Sequence, residues 1–409
     1  MTVSLSMIVR NEAERLKRCL ASVEGFVDEM VLLDTGSTDA TVTIAQQCGA
    51  TVHQLPWPGD FAPARNEALR HVKGDWVLVL DADEQLLEEV RDPLKQLMQQ
   101  PDLLVVTLLR FERGARQSPY SKVSRLFRRH AGICWSRPYH SMIDDSVVEL
   151  LQREPHWQVA DCNVPALLHD GYRPELLAGS DKASRLRQAM QAELSRNPSD
   201  PYSCAKLGSL EVSEGRRQQG IELLKTGLAH CPGEAVPERY ELLLHLAIAL
   251  APSQPEEAID LYRQALALPL NRRVTMGASL NLANLLLESS AKNNDAACAQ
   301  QQLSEASELC REATAAAPEL PMAWASLGLV ERQRGRLPAA VAAYRQALMR
   351  DPHRPEIHQN LAAALLLTGD IGGARTGFSQ AIHLWQQQGQ PEAAANLRQR
   401  VAGLVNLQR

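Results

Sequence analysis

The stretch Gly74-Asp75-Trp76-Val77-Leu78-Val79-Leu80-Asp81-Ala82-Asp83-Glu84 decides how the N-terminal half is read. Its apolar run, Trp76 to Leu80, predicts a buried strand that stops abruptly at a carboxylate pair. Asp81 and Asp83 are two apart, so in an extended chain they point the same way. In an open α/β sheet, ligands bind outside the carboxyl ends of the strands. Two carboxylates at that place suit a hard divalent cation that also bridges phosphates.

Upstream, Val3 to Val9 reads as a strand, followed by Asn11 as a helix N-cap and a helical period through Glu14, Leu16, Cys19, Leu20 and Val23. A second strand, Glu29 to Leu33, ends in Asp34-Thr35-Gly36-Ser37-Thr38-Asp39. Gly36 permits a tight turn there, and Ser37 or Thr38 can cap a helix from Ala40 to Cys48. A short strand, Thr51 to Gln54, precedes the loop Pro56-Trp57-Pro58-Gly59-Asp60-Phe61 and a helix carrying Arg65-Asn66-Glu67. Strands and helices alternating at this length imply a parallel sheet with right-handed crossovers. Glu12, Asp34, Asp39, Asp81 and Asp83 then face one crevice, which a nucleotide fits. Asp34 can accept the imide N–H of uracil, Asp81 can hold ribose or metal, and Asp83 can hold metal.

Four segments, Met7 to Glu12, Asp34 to Asp39, Ala64 to Leu69 and Gly74 to Glu84, resemble glycosyltransferase family 2, in that family's order and spacing. The nearest resemblance is to the bacterial branch with tetratricopeptide repeats behind the transferase, which includes the sublancin-type S-glycosyltransferases. Leu168-His169-Asp170-Gly171-Tyr172 and Asn197-Pro198-Ser199-Asp200-Pro201 support that branch. The resemblance implies a GT-A fold (α/β, Rossmann-like, with a mostly parallel sheet). It also implies inverting transfer from a nucleotide-sugar donor, most often a UDP-sugar, with Mn²⁺ or Mg²⁺. Asp39 fits the family motif or stabilises its own turn. Arg65 pairs with the diphosphate or holds Asp81, and Asn66 bonds the donor or caps locally. Glu12 contacts the nucleotide or serves the first helical turn. The resemblance makes His169 the late histidine that completes the metal site, and imidazole suits Mn²⁺ better than Mg²⁺.

The catalytic base is where the sequence departs from the pattern. Inverting transfer needs a group that takes the acceptor proton. Related sequences carry a His-Glu pair after an Arg-rich strand, whereas here His140 is followed by Ser141. Asp144, Asp145 or Glu149 can substitute, or His140 can act itself. A thiolate acceptor would need little help. The basic run Arg110, Arg113, Arg116, Lys122, Arg125, Arg128 and Arg129 can hold a diphosphate or an anionic acceptor, or be solvated.

From about residue 182 the chain becomes Ala- and Leu-rich with a fixed period. Trp324, Leu327-Gly328, Ala340, Tyr344, Ala347 and Pro352 follow the tetratricopeptide spacing. Pro198 to Pro232 and Pro318 to Pro352 each span 34 positions. About five repeats are expected, with an insertion over 289–301 and a capping helix from Pro391. The reading is therefore a transferase domain over 1–180, then a linking helix and an all-α repeat solenoid over 181–409. Such arrays bind peptides or proteins, so the repeats are expected to select a protein or peptide acceptor. One rival is a transferase for a cell-surface glycan or lipid-linked precursor. Another is a nucleotide-sugar-binding scaffold without turnover, which Ser141 keeps open.

Composition bounds these readings. The 45% hydrophobic and 22% charged residues are those of a soluble globular protein, and a net charge of −5 gives no reason to expect nucleic acid. The eight cysteines are scattered, without metal-type spacing, as in a reducing compartment. No signal peptide and no apolar run near the ~18–20 residues of a membrane span is seen, so a cytoplasmic location is expected, with peripheral membrane contact left open.

Overall fold

The computed structural model describes residues 1–115, 118–137, 141–171 and 182–404. His140, Arg116 and Tyr172 lie outside the described residues. The chain groups into two compact units, Met1–Leu210 and Glu211–Arg409, so the linking helix and most of the next helix go with the sheet.

The first unit opens with β1 (Val3–Val9), α1 (Ala13–Ala21), β2 (Glu29–Asp34), α2 (Thr41–Gln47), β3 (Thr51–Gln54), α3 (Phe61–Leu69) and β4 (Trp76–Val79). It continues through β5 (Glu84–Leu86), α4 (Arg91–Met98), β6 (Leu103–Glu112), β7 (Tyr120–Arg128), α5 (Asp144–Arg153) and β8 (Gln158–His169). Two helices follow, α6 (Lys182–Arg196) and α7 (Pro201–Ser213). The eight strands form one mixed sheet in the order β3-β2-β1-β4-β7-β6-β8-β5. The run β3-β2-β1-β4 is parallel, with Val9 level with Asp34 and Ser6 level with Val79. β7 then joins β4 and β6 in antiparallel fashion, β6 pairs with β8 in parallel, and β5 closes the edge antiparallel to β8.

β4 shows why the sheet is buried on both faces. Trp76, Leu78 and Leu80 pack with Leu16, Leu20 and Leu94 from α1 and α4. The alternate residues Val77 and Val79 pack with Phe127, Trp135, Val147 and Leu150 in a second core. A strand apolar on both faces reads as a continuous apolar run. The order reverses at β1, whose neighbours are β2 and β4, and such a switch point is where an α/β sheet leaves a crevice.

The second unit is helical throughout its described residues: α8 (Arg217–His230), α9 (Val236–Leu250), α10 (Pro255–Leu266), α11 (Met276–Lys292) and α12 (Ala296–Ala316). Then come α13 (Pro321–Gln333), α14 (Leu337–Arg350), α15 (Pro355–Leu367), α16 (Ile371–Gln387) and α17 (Pro391–Val401). Proline occupies the first turn of α9, α10, α13, α14, α15 and α17, where its missing N–H has no helical partner to lose. Small residues let the helices approach: a Cβ on Gly328 would lie 2.5 Å from the ring of Tyr344. The expected insertion is not a loop. Residues 289–301 lengthen both helices of one pair, to 17 residues in α11 and 21 in α12, with Asp295 capping the second. Its Ala and Gln are strong helix formers, so added length is taken up as helical turns. No helix among the described residues is long and apolar enough to cross a membrane.

Candidate active site

The turns after β1 and β2 are stitched together by their own side chains. Asn11 adopts a left-handed φ of 56° and does not cap α1. Its side-chain oxygen accepts from Thr38 N at 2.8 Å, and its N–H donates to Ser37 Oγ at 3.0 Å. The N-cap position of α2 is Ala40, not Ser37 or Thr38; from the residue before it, Asp39 Oδ1 accepts from Thr41 N at 2.9 Å, and Oδ2 accepts from Ala13 N at 3.2 Å. Both oxygens of Asp39 are thus engaged in the turns. Asp34 is buried and accepts from Gly36 N and Ser37 N at 3.2–3.3 Å. Carboxylate oxygens take two donors each, so Asp34 retains acceptor capacity.

Asp81 stands beyond β4 between two buried arginines. Arg65 Nη2 donates to its Oδ1 at 2.7 Å, and Arg125 Nη2 donates to its Oδ2 at 2.9 Å. Burial alone would raise its pKa, but the two guanidinium groups hold it well below the usual carboxylate range. Both arginines lie over the ring of Trp135, at 4.7 and 5.6 Å from its centroid. Asn66, one residue along α3, bonds the backbone of Trp135 with both ends of its amide. Its Oδ1 accepts from Trp135 N at 2.7 Å and its Nδ2 donates to Trp135 O at 2.9 Å.

Asp83 belongs to a different group. β5 and β8 pair so that Glu84 is opposite His169, and Asp170 N donates to Asp83 O at 3.1 Å. This brings His169 Nε2 to 3.4 Å from Asp83 Oδ2, while His169 Nδ1 meets Glu112 Oε2 at 2.5 Å. Burial disfavours the imidazolium, yet Asp83 and Glu112 together push the pKa of His169 up to about 9. Glu112 is brought down to about 2: burial opposes its charge, and His169 and Arg110 outweigh that. Arg110 bridges Glu112 and the fully buried Glu84 at 2.8 and 2.7 Å. Glu12 bonds Arg15, and its pKa is raised by burial and, against Arg15, by Asp83 and Asp81. Burial and the neighbouring Asp81 oppose the charge of Asp83, but His169 and Arg15, the latter 3.7 Å away, outweigh them and hold it below the usual carboxylate range.

A divalent cation fits this donor set as a two-residue site. Two cis ligands of an octahedral ion lie roughly 3 Å apart, close to the Asp83–His169 separation. The carboxylate of Glu112 on the far ring nitrogen is the support that ligating histidines commonly have. Among the described residues no three His, Cys, Asp or Glu side chains converge into a ready cage. Asp81, with an arginine on each oxygen, is not part of the pair.

Of the residues expected as the base, Asp144, Asp145 and Glu149 lie in α5, and His140 lies outside the described residues. Ser136 and Met142 exchange backbone hydrogen bonds at 2.8 and 3.1 Å. Arg137 has φ of 68°, bonds both oxygens of Asp145 at 3.1 and 3.2 Å, approaches Asp200 at 3.5 Å and lies over the ring of Tyr202. Ser136 Oγ also donates to Asp145 at 2.5 Å. These bonds overcome burial and lower the pKa of Asp145. Asp144, the first residue of α5, accepts from Ser124 Oγ at 2.8 Å and from its own backbone N–H, with no other side-chain donor among the described residues. Its side chain is exposed to solvent, yet enough protein lies around it that desolvation raises its pKa, against the bond from Ser124. The hydroxyl of Ser141 is buried without a partner.

The expected basic run does not form one patch. Arg110 and Arg125 serve carboxylates, Arg113 pairs with Asp170 at 3.2 Å, and Lys122 pairs with Asp161 at 2.6 Å. Arg128 and Arg129 donate to the carbonyls of Leu103, Gln100 and Gly74. Glu112 and Trp135 were not anticipated. The signal for Glu112 is a lone acid ending a long apolar strand, on the same strand face as Arg110.

Residues 4–155 match the family model for Glycosyl transferase family 2, and residues 328–369 match that for the TPR repeat. A TPR repeat-containing protein of Synechococcus elongatus is 43% identical over 393 residues, which is 96% of this chain and 94% of that protein. An uncharacterized glycosyltransferase of Rickettsia bellii is 34% identical over 155 residues, 36% of this chain and 52% of that protein. The SPbeta prophage-derived glycosyltransferase SunS of Bacillus subtilis is 25% identical over 235 residues, 56% of this chain and 53% of that protein.

Proposed function

Because the chain belongs to glycosyltransferase family 2, in a form that carries tetratricopeptide repeats behind the transferase domain, we propose a metal-dependent inverting transfer from a UDP-sugar to a protein or peptide acceptor chosen by the repeats. The observation that carries the metal is the Asp83–His169 pair with Glu112 behind it. Mn²⁺ or Mg²⁺ there would neutralise the diphosphate as it leaves. Asp34 accepts the uracil imide N–H with the capacity left by its turn. Arg65 and Arg125 fix Asp81 at the ribose side, and Glu12 adds to the field that draws the cation.

Asp144 is the base we assign. Its raised pKa and single side-chain bond suit proton uptake better than the double clamp on Asp145. The acceptor's heteroatom bonds the anomeric carbon, its proton passes to Asp144, and the bond from that carbon to the diphosphate oxygen breaks, releasing UDP. The substitution of Ser141 for the family's Glu favours one second reading, a nucleotide-sugar-binding scaffold.

The full-length protein with a panel of nucleotide sugars tests both. UDP with Mn²⁺ should raise the melting temperature, since a ligand of the native state stabilises it. EDTA should remove that shift, and one UDP-sugar should release UDP. Equal UDP binding in EDTA would remove the metal site. Tighter binding of GDP or ADP than UDP would remove the donor assignment. Binding without any release of UDP would favour the scaffold. Radiolabelled sugar appearing in lipid or polysaccharide instead of protein would redirect the acceptor.

A further inference from the structure

We propose that Trp135 is a positioning residue that ties the donor-side carboxylate Asp81 to the loop and helix carrying the candidate base, so that the two halves of the site move as one. The proposal rests on the reading above. On the donor side, Arg65 and Arg125 each donate one Nη2 to Asp81 and hold their Cζ atoms 4.7 and 5.6 Å from the centroid of the Trp135 ring. On the base side, Trp135 is next to Ser136, whose hydroxyl donates to Asp145, and it packs with Ile143 and Val147 of the α5 segment. Its backbone is held at both polar atoms by Asn66, the neighbour of Arg65 on α3. Adjacent residues of β7 complete the circuit: Arg125 binds Asp81 and Ser124 binds Asp144.

The arginines show why an aromatic ring is needed. Arg65 is 7% exposed and Arg125 9% exposed. Arg65 Nε and Nη1 and Arg125 Nη1 are buried without a hydrogen-bond partner. The carboxylates of Asp81 and the buried Glu84 offset the two guanidinium charges, but they do not reach these three nitrogens. The face of an indole attracts such cations, most strongly when they are desolvated. Trp135 thus replaces the missing acceptors and holds both arginines in place. A leucine fills part of that space but has no such face, and a phenylalanine keeps a face of smaller area.

A double-mutant cycle on the full-length chain tests this, using Trp135→Leu, Trp135→Phe, Arg125→Lys and the pair Trp135→Leu with Arg125→Lys. Turnover of the accepted nucleotide sugar and UDP affinity are measured below each variant's melting temperature. Trp135→Leu should lower kcat about 10²-fold, the scale of a misplaced catalytic group, and change UDP affinity less than about threefold. Trp135→Phe should recover to within about tenfold of wild type. The double variant should be little worse than the worse single one, because coupled residues are not additive. Additive losses in kcat, or equal losses for Phe and Leu, would overturn the proposal and leave Trp135 as ordinary core. A wild-type protein that turns over no nucleotide sugar would overturn the underlying reading, and the proposal with it.

Discussion

Buried charge is distributed differently in the two units. In the sheet unit, Asp34, Arg65, Glu84, Glu112, Arg125 and Asp170 are all buried, and they cluster around strand ends at one side of the sheet. In the repeat unit the buried acids Glu211 and Glu331 are bound by arginines on nearby helices: Arg216 meets Glu211, and Arg311 and Arg334 meet Glu331 at 2.9 and 3.4 Å. A buried charge is costly unless it is paired. In the repeats the pairing is local and around Glu331 the arginines outnumber the acid, although among the described residues Glu331 Oε2 keeps no hydrogen bond and has only Arg336 at 3.9 Å. In the sheet unit it leaves orphan guanidinium nitrogens and a raised Asp144, the marks of groups held for a ligand. Substitutions in the first cluster should therefore change chemistry more than stability, and substitutions in the second unit the reverse.

The largest break should come at the base. Asp144→Ala should lower turnover about 10²–10⁴-fold with little effect on UDP binding, the usual range for losing a general base. A base works when deprotonated, so kcat/KM should fall as pH drops through its pKa. Burial raises that pKa above the ordinary 3.8 of an aspartate, so the acid limb should lie above that value and vanish in the variant. If His140→Ala or Asp145→Ala is the severe substitution and Asp144→Ala is mild, the base is misassigned.

Glu112 tests the support behind the cation. Glu112→Gln keeps the shape but removes the charge facing His169 and Arg110. The Mn²⁺ concentration needed for half-maximal UDP binding should rise about 10–100-fold, as for other partners of ligating histidines. An unchanged Mn²⁺ titration would separate Glu112 from the metal.

The parallel half of the sheet was legible because each strand is a short apolar run ending in a turn, and the repeats because small residues recur at fixed spacing. The mixed half was not. β6 to β8 are ordered by pairings between distant segments, and nothing local to Leu103–Glu112 says that β7 will lie between it and β4. The carboxylates were visible as residues, but not their division of labour. Asp81 and Asp83 look alike in sequence, yet one is clasped by Arg65 and Arg125 while the other faces His169. Asn66 likewise gives no local sign that its partner is Trp135, 69 positions away.

In the repeat unit the comparison predicts loss of stability without loss of ligand binding. Gly328→Ala puts a methyl 2.5 Å from the Tyr344 ring, and Tyr344 is fully buried and has no room to yield. Overpacking of this kind costs about 1–3 kcal/mol, against a smaller gain in helix propensity. The melting transition of the repeats should fall, while UDP affinity in Mn²⁺ stays at the wild-type value. A drop in UDP affinity measured well below the transition would mean that the two units do not divide stability from chemistry as argued.

The smallest effect is expected at Asp295. It caps α12, accepting from Ala297 N at 2.9 Å and Cys298 N at 3.3 Å, at the exposed turn where residues 289–301 lengthen one helix pair. Removing a cap of this type typically costs about 1 kcal/mol, and a negative charge at a helix N-terminus adds a few tenths that salt screens. Asp295→Ala should therefore lower the melting transition by less than Gly328→Ala. Asp295→Asn should recover most of the loss, because the amide oxygen still accepts both N–H groups. Turnover should be unchanged in both. If Asp295→Ala left stability unaltered but reduced transfer to the acceptor, the lengthened pair would be a recognition element, and the repeat unit would hold chemistry that its buried charges do not reveal.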